Sequence, residues 1–193
     1  MKFNKRVKSA TSGYSLIELL LVIAFIAGAL VLAFVTYPKV QATNRANVES
    51  QHLSVISTGI KNLYATAKTF GGANPISNKV LLDAKLIPDD MRVNGTAAAG
   101  ISNVWEGTVD VAPAAVQSKY TITYTLVPPA ECAKMATGVA VNFMKLDVGA
   151  TTIFDRTAGV GGSSGGSVDI NPALVTTACS AAPGGSTMIF TGN

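Results

Sequence analysis

Residues 19–35 read LLLVIAFIAGALVLAFV, seventeen positions without a polar side chain, and neither Lys nor Arg occurs between Ser9 and Pro38. At the helical rise, residues 14–38 would extend about 37 Å, against about 30 Å for the hydrocarbon core of a bilayer, so the stretch reads as a transmembrane helix. Beyond Lys39 the pattern changes. Leu53, Ile56, Ile60, Leu63, Ala67 and Phe70 recur at three-four spacing, with Tyr64 and Val48 near the same face. Asn44, Arg45, Asn47, Glu49, Gln51, Lys61 and Lys68 fall on the opposite side. This predicts an amphipathic helix over 39–70, stopped by Gly71-Gly72. Joined to the apolar stretch it would form a rod of about 80 Å, with Gly28 and Pro38 as local weak points.

The remainder alternates like a sheet. Segments 104–111 (VWEGTVDV), 120–127 (YTITYTLV), 139–146 (VAVNFMKL) and 187–191 (TMIFT) mix β-branched and aromatic residues with partial period-two patterning. A short helix is expected from Pro129 to Gly138, containing Cys132. Residues 159–167 (GVGGSSGGS) predict a mobile surface loop; a phosphate-binding role would need a following Lys-Ser/Thr and a helix start, which the sequence lacks. A long helix followed by strands implies an α+β fold, with an antiparallel β-sheet head packed on the amphipathic face.

The 193 residues leave room for one globular domain and a short extra segment. Hydrophobic residues make up 48% and charged residues 13%, and the mean hydropathy is +0.36, which excludes disorder as the main state. The net charge of +4 arises at one end. Lys2, Lys5, Arg6 and Lys8 precede the apolar run, leaving eleven basic residues against eleven acidic ones in the rest of the chain. A neutral body has no basic stripe for direct nucleic-acid binding. The same cationic leader places the N-terminus in the cytoplasm by the positive-inside rule, and everything after Pro38 on the opposite side of the membrane.

Glu18 does not fit a plain anchor. A carboxylate at the head of an apolar run costs a few kcal/mol in hydrocarbon and marks a functional site with a partner. Lys8 is out of reach along a helix, so the economical partner is an amine on another molecule. The alternative is a carboxylate snorkelling to the headgroups.

The stretch Ser12-Gly13-Tyr14-Ser15-Leu16-Ile17-Glu18, between a basic leader and unbroken apolar residues, resembles the class III signal of type IV pilins and pseudopilins. The resemblance implies cleavage by prepilin peptidase between Gly13 and Tyr14, N-methylation of Tyr14, and a Glu18 carboxylate that meets a neighbouring subunit's N-terminal amine. Tyr14 departs from the more usual Phe or Met while keeping a large side chain. The rival reading is an ordinary secretory signal cut after Ala42, which would discard Glu18; the long apolar run and the interruption by Pro38-Lys39 oppose it.

A chain placed in the periplasm is expected to oxidise Cys132 and Cys179 to one disulfide, closing a loop worth roughly 4 kcal/mol, with two free buried thiols as the alternative. The order NVWEGTVDV, YTITYTLVPPAEC and a terminal Cys-x-x-x-x-x-x-Ser-Thr-Met-Ile-Phe is similar to the heads of type IVb major pilins, in which matching cysteines tie the C-terminal region to the sheet. The implied organisation is a cleaved leader (1–13), a transmembrane and later fibre-core helix (14–38) and a periplasmic head (39–193). The implied function is a structural subunit of a surface fibre for adhesion, aggregation or conjugation. Its partners are further copies of itself in a helical homopolymer, prepilin peptidase, an inner-membrane assembly platform, and the membrane before assembly. The alternative is a minor pilin or secretion pseudopilin that primes assembly or presents an adhesive tip.

Catalytic chemistry is not expected. His52 is the only histidine and sits on the helix as a surface or groove-lining residue, Asp89-Asp90 follows Pro88 as turn chemistry, and no residue cluster has metal-ligand spacing. Neither a cofactor nor a metal is implied.

Overall fold

The computed structural model describes residues 15–67, 69–93, 100–156 and 169–193. The chain falls into two compact units, Met1–Val40 and Gln41–Asn193. Helix α1 (Leu16–Leu63) carries Pro38 within it and opens with the Ser15 carbonyl accepting from the Glu18 and Leu19 amides.

In the second unit, α1 buries Ala46, Glu49, Leu53, Ile56 and Ile60, a three-four-three-four stripe. It packs in one core with the aromatic and aliphatic residues of the sheet. Seven strands form that sheet: β1 (Arg92–Val93), β2 (Ile101–Ser102), β3 (Thr108–Pro113), β4 (Tyr120–Val127), β5 (Lys145–Val148), β6 (Thr151–Asp155) and β7 (Ser186–Gly192). Their spatial order is β1-β2-β3-β4-β7-β5-β6, and every pairing is antiparallel. The last strand thus enters the middle of the sheet, its flanks supplied by β4 and β5. Period-two burial puts Val109, Val111, Tyr120, Ile122, Tyr124, Leu146, Met188 and Phe190 into the core. Among the described residues, three short α-helices accompany the sheet: α2 (Asn78–Asp83), capped by Ser77, α3 (Pro129–Val139), begun by Pro129, and α4 (Pro172–Ser180), capped by Asn171.

The α+β architecture and the antiparallel sheet agree with the pattern of the chain, and β4 coincides with the alternating segment 120–127. Three boundaries differ. The helix expected over 39–70 ends at Leu63, which is exposed, and Ala67 is exposed as well. Phe70 reaches the core off the helix, where its amide donates to the Gln117 carbonyl at 2.7 Å and its ring stands edge-on to Tyr120. Backbone bonding to the β3–β4 connection replaces the last two helical turns.

The strand expected over 104–111 begins only at Thr108. Asn103 Oδ1 accepts from the amides of Trp105 and Gly107, taking them from any ladder, and a Cβ at Gly107 would overlap the Thr125 carbonyl. The first half of the strand expected over 139–146 is helical: α3 runs past Gly138 to Val139, a 3-10 turn covers Ala140–Asn142, and β5 starts at Lys145. Arg156 Nη1 donates to the carbonyls of Ala140 (2.9 Å) and Phe143 (3.1 Å), adding to the Phe143 amide that already bonds Ala140 at the helix end. The loop expected over 159–167 lies outside the described residues.

Candidate functional site

Among its described residues the first unit offers one chemical feature, an apolar surface with an acid at its head. From Leu16 to Val40 the large hydrophobic side chains are exposed, Phe25 at 77% and Phe34 at 76%. The most apolar eighteen-residue window of α1 has a mean hydropathy of 2.9, making it, among the described residues, the one helix long and apolar enough to cross a membrane. Glu18 lies in its first turn, where the helix N-terminus favours a negative charge. Gly13 and Tyr14 lie outside the described residues.

The second unit fixes its C-terminal half covalently. Cys132 of α3 and Cys179 of α4 form a disulfide with a Cα–Cα distance of 5.8 Å, joining two helices that are 47 residues apart in sequence at the cysteines. Lys134 of α3 in turn donates to Thr43 Oγ1 of α1. Ser57 of α1 and Tyr120 of β4 share a buried hydrogen bond of 2.7 Å. Burial raises the Tyr120 phenol above its ordinary value, and the Ser57 bond partly offsets this.

Glu49 was not evident as a site from the chain's pattern. It was placed on the polar side of α1, yet it is buried, its Oε1 accepting from the Val104 amide at 2.6 Å. The signal was present: Glu49 completes the stripe Ala46, Glu49, Leu53, Ile56, Ile60. His52 Nε2 sits 2.9 Å from Asp90 Oδ2, and its Nδ1 sits 3.5 Å from Glu49 Oε2. The structure therefore joins His52 and Asp90, which the sequence left apart as a helical residue and a turn residue. Burial pushes the Glu49 carboxyl above its ordinary value, opposed by the Val104 amide and the imidazole. On the other side of His52, a groove of about 740 Å³ runs between α1, at Val55 and Thr58, and the segment around Leu86 and Pro88. Among the described residues no group of three or more His, Cys, Asp or Glu could hold a metal ion.

A long helix on an antiparallel sheet, with an apolar first unit and two C-terminal helices tied by a disulfide, defines a class. Among solved structures, the chain is similar to a type IV b pilin from Salmonella typhi, at 20% identity and a TM-score of 0.52, over 76% of this chain and 96% of that one. It is also similar to TcpA, a type IV pilin from Vibrio cholerae El Tor biotype, at 14% identity and a TM-score of 0.51, over 79% of this chain and 99% of that one. The fold is that of the type IVb pilins. No curated protein matches the chain. The family described as PilS N terminal matches residues 43–193, and the chain belongs to that family.

Proposed function

We propose that the chain is the major subunit of a type IVb pilus, made as a single-pass precursor in a bacterial inner membrane with its N-terminus in the cytoplasm. Prepilin peptidase cuts between Gly13 and Tyr14 and methylates Tyr14, and an inner-membrane assembly platform adds the subunit to a surface fibre. The observation that carries this reading is the exposed apolar run of α1 headed by Glu18. Such a surface needs lipid first and other apolar helices afterwards, since water would oppose its exposure by about 25 cal/mol per Å².

Glu18 accepts the Tyr14 ammonium of an adjacent subunit. Pairing offsets the desolvation of a carboxylate leaving the headgroup zone for a packed interior, so Glu18 sets register and recruitment more than it adds stability. Heterologous contacts of this kind do not close into a ring and extend into a fibre. The test is Glu18→Gln or Glu18→Ala expressed in a piliated host. Both variants are expected to be inserted and processed while sheared surface fractions lose the fibre; normal piliation removes the electrostatic account. In the wild type the chain should dominate the sheared fibres, whereas a minor pilin or pseudopilin would be a trace component.

A further inference from the structure

Four buried polar side-chain atoms among the described residues have no hydrogen-bond partner: Glu49 Oε2, His52 Nδ1, Trp105 Nε1 and Tyr124 Oη. The first two face each other. Because Asp90 Oδ2 is an acceptor 2.9 Å from His52 Nε2, Nε2 carries the proton of that bond. In the neutral ring Nδ1 is then a lone pair, directed at Glu49 Oε2 across 3.5 Å. Glu49 has no room to turn away, since its other oxygen is held by the Val104 amide. Two lone pairs confront each other in the core unless a proton lies on one of them.

We propose that Glu49 and His52 share one proton, and that this proton latches α1 to the Asp89–Asp90 turn and to the turn that begins at Asn103. With it, Oε2–H donates to Nδ1, or equivalently an imidazolium lies between two carboxylates; either way the three residues carry one negative charge. Without it they carry two, one of them on buried Glu49, and the cost of burying that charge, which the Val104 amide and the imidazole offset only in part, favours opening of the packed turns. The groups around the pair act in both directions. Glu106, from the turn before β3, lines the same small cavity, and Asp89 lines the groove beyond His52; both favour retention of the proton, while Lys85 in that groove opposes it. Tyr124, from β4, stays a neutral phenol, its hydroxyl raised well above the ordinary value first by burial and then by the Glu49 charge.

The direction of the pH dependence follows. The Glu49 carboxyl is raised above its ordinary value of 4.5, so the folded state holds a proton that the unfolded chain releases. The latch is complete below that ordinary value and is lost as the pH climbs through the raised one.

His52 is the only histidine, so its ring signals are unambiguous in full-length protein labelled with 15N-histidine in detergent micelles. Between about pH 5 and about pH 9 the ring should keep Nε2 protonated while Nδ1 passes from a proton-sharing to a bare-lone-pair shift. Hydrogen exchange at the Val104 amide, corrected for its intrinsic pH dependence, should accelerate by about tenfold or more over the same range. In Glu49→Gln the amide oxygen keeps the Val104 bond and the amide group donates to Nδ1 without titrating, so the acceleration should vanish. A ring protonated at Nδ1 with bare Nε2, an Nδ1 shift that does not move, or equally steep exchange profiles in wild type and Glu49→Gln would each overturn the latch. The ring signals keep the latch open to contradiction even if the variant does not fold.

Discussion

Helix α1 contains two regions of the same secondary structure and opposite surroundings. Between Leu16 and Val40 apolar side chains point in every direction and are exposed; between Ala46 and Ile60 they form one stripe, and Leu53, Ile56 and Ile60 are 0% exposed. The difference lies in the breadth of the apolar surface, and that breadth says what covers it. A stripe is satisfied by a sheet of its own chain, whereas an all-round apolar cylinder requires lipid or other helices. The two regions are therefore expected to fail differently when truncated.

The sharpest contrast comes from the same substitution made in each. Ile56→Ala leaves a cavity in the core and should destabilise the head by about 2–5 kcal/mol in urea unfolding of the full chain in micelles. Ile26→Ala should change that midpoint by less than about 0.5 kcal/mol, its effect appearing in fibre yield instead. Equal losses in the two variants would mean that the first region is part of the folded core after all.

Removing the disulfide through Cys132→Ala with Cys179→Ala comes next in expected size, at about 2–5 kcal/mol, the lower part of that range being reached if the reduced chain keeps residual structure. Measured against Ile56→Ala, it separates what α3 and α4 contribute through their covalent tie from what α1 contributes through packing. A smaller effect than either of these losses is expected for Ser57→Ala. That change leaves the buried Tyr120 hydroxyl without its 2.7 Å partner and should cost about 1–3 kcal/mol. Tyr120→Phe in the same background should recover part of the loss, because no orphaned donor then remains; a further loss would show that the pair matters through shape.

The breadth of the apolar surface also explains which features were readable in the sequence. The unbroken run 19–35, the alternation of 120–127 and the Pro129 helix start are each written in consecutive residues, and each matches an element of the structure. The leader and the acid at 18 were read through a resemblance, and residues 1–14 lie outside the described residues. What escaped depends on contacts between distant residues. The helix end at Leu63 follows from the Phe70 amide meeting Gln117, the turn at 104–107 from the Asn103 side chain, and the helical course beyond Gly138 from Arg156 capping Ala140 and Phe143. Strand β6 and helix α4 went unread for a related reason. TTIFD is short and follows a Gly-Ala turn, and the α4 sequence PALVTTACS is rich in weak helix formers, held by Asn171 and the disulfide more than by propensity. Glu49 is the instructive case, because a charged residue within an apolar stripe was assigned by its chemistry when its spacing put it in the core.

The central claim is that the region beginning at Tyr14 is retained and becomes the fibre interior. Intact mass and N-terminal sequencing of the subunit from sheared fibres test it most directly. The account predicts a mature chain that starts at Tyr14, carries one added methyl group there and keeps Glu18. A subunit that starts after Ala42, with the apolar helix and its acid removed, would contradict it.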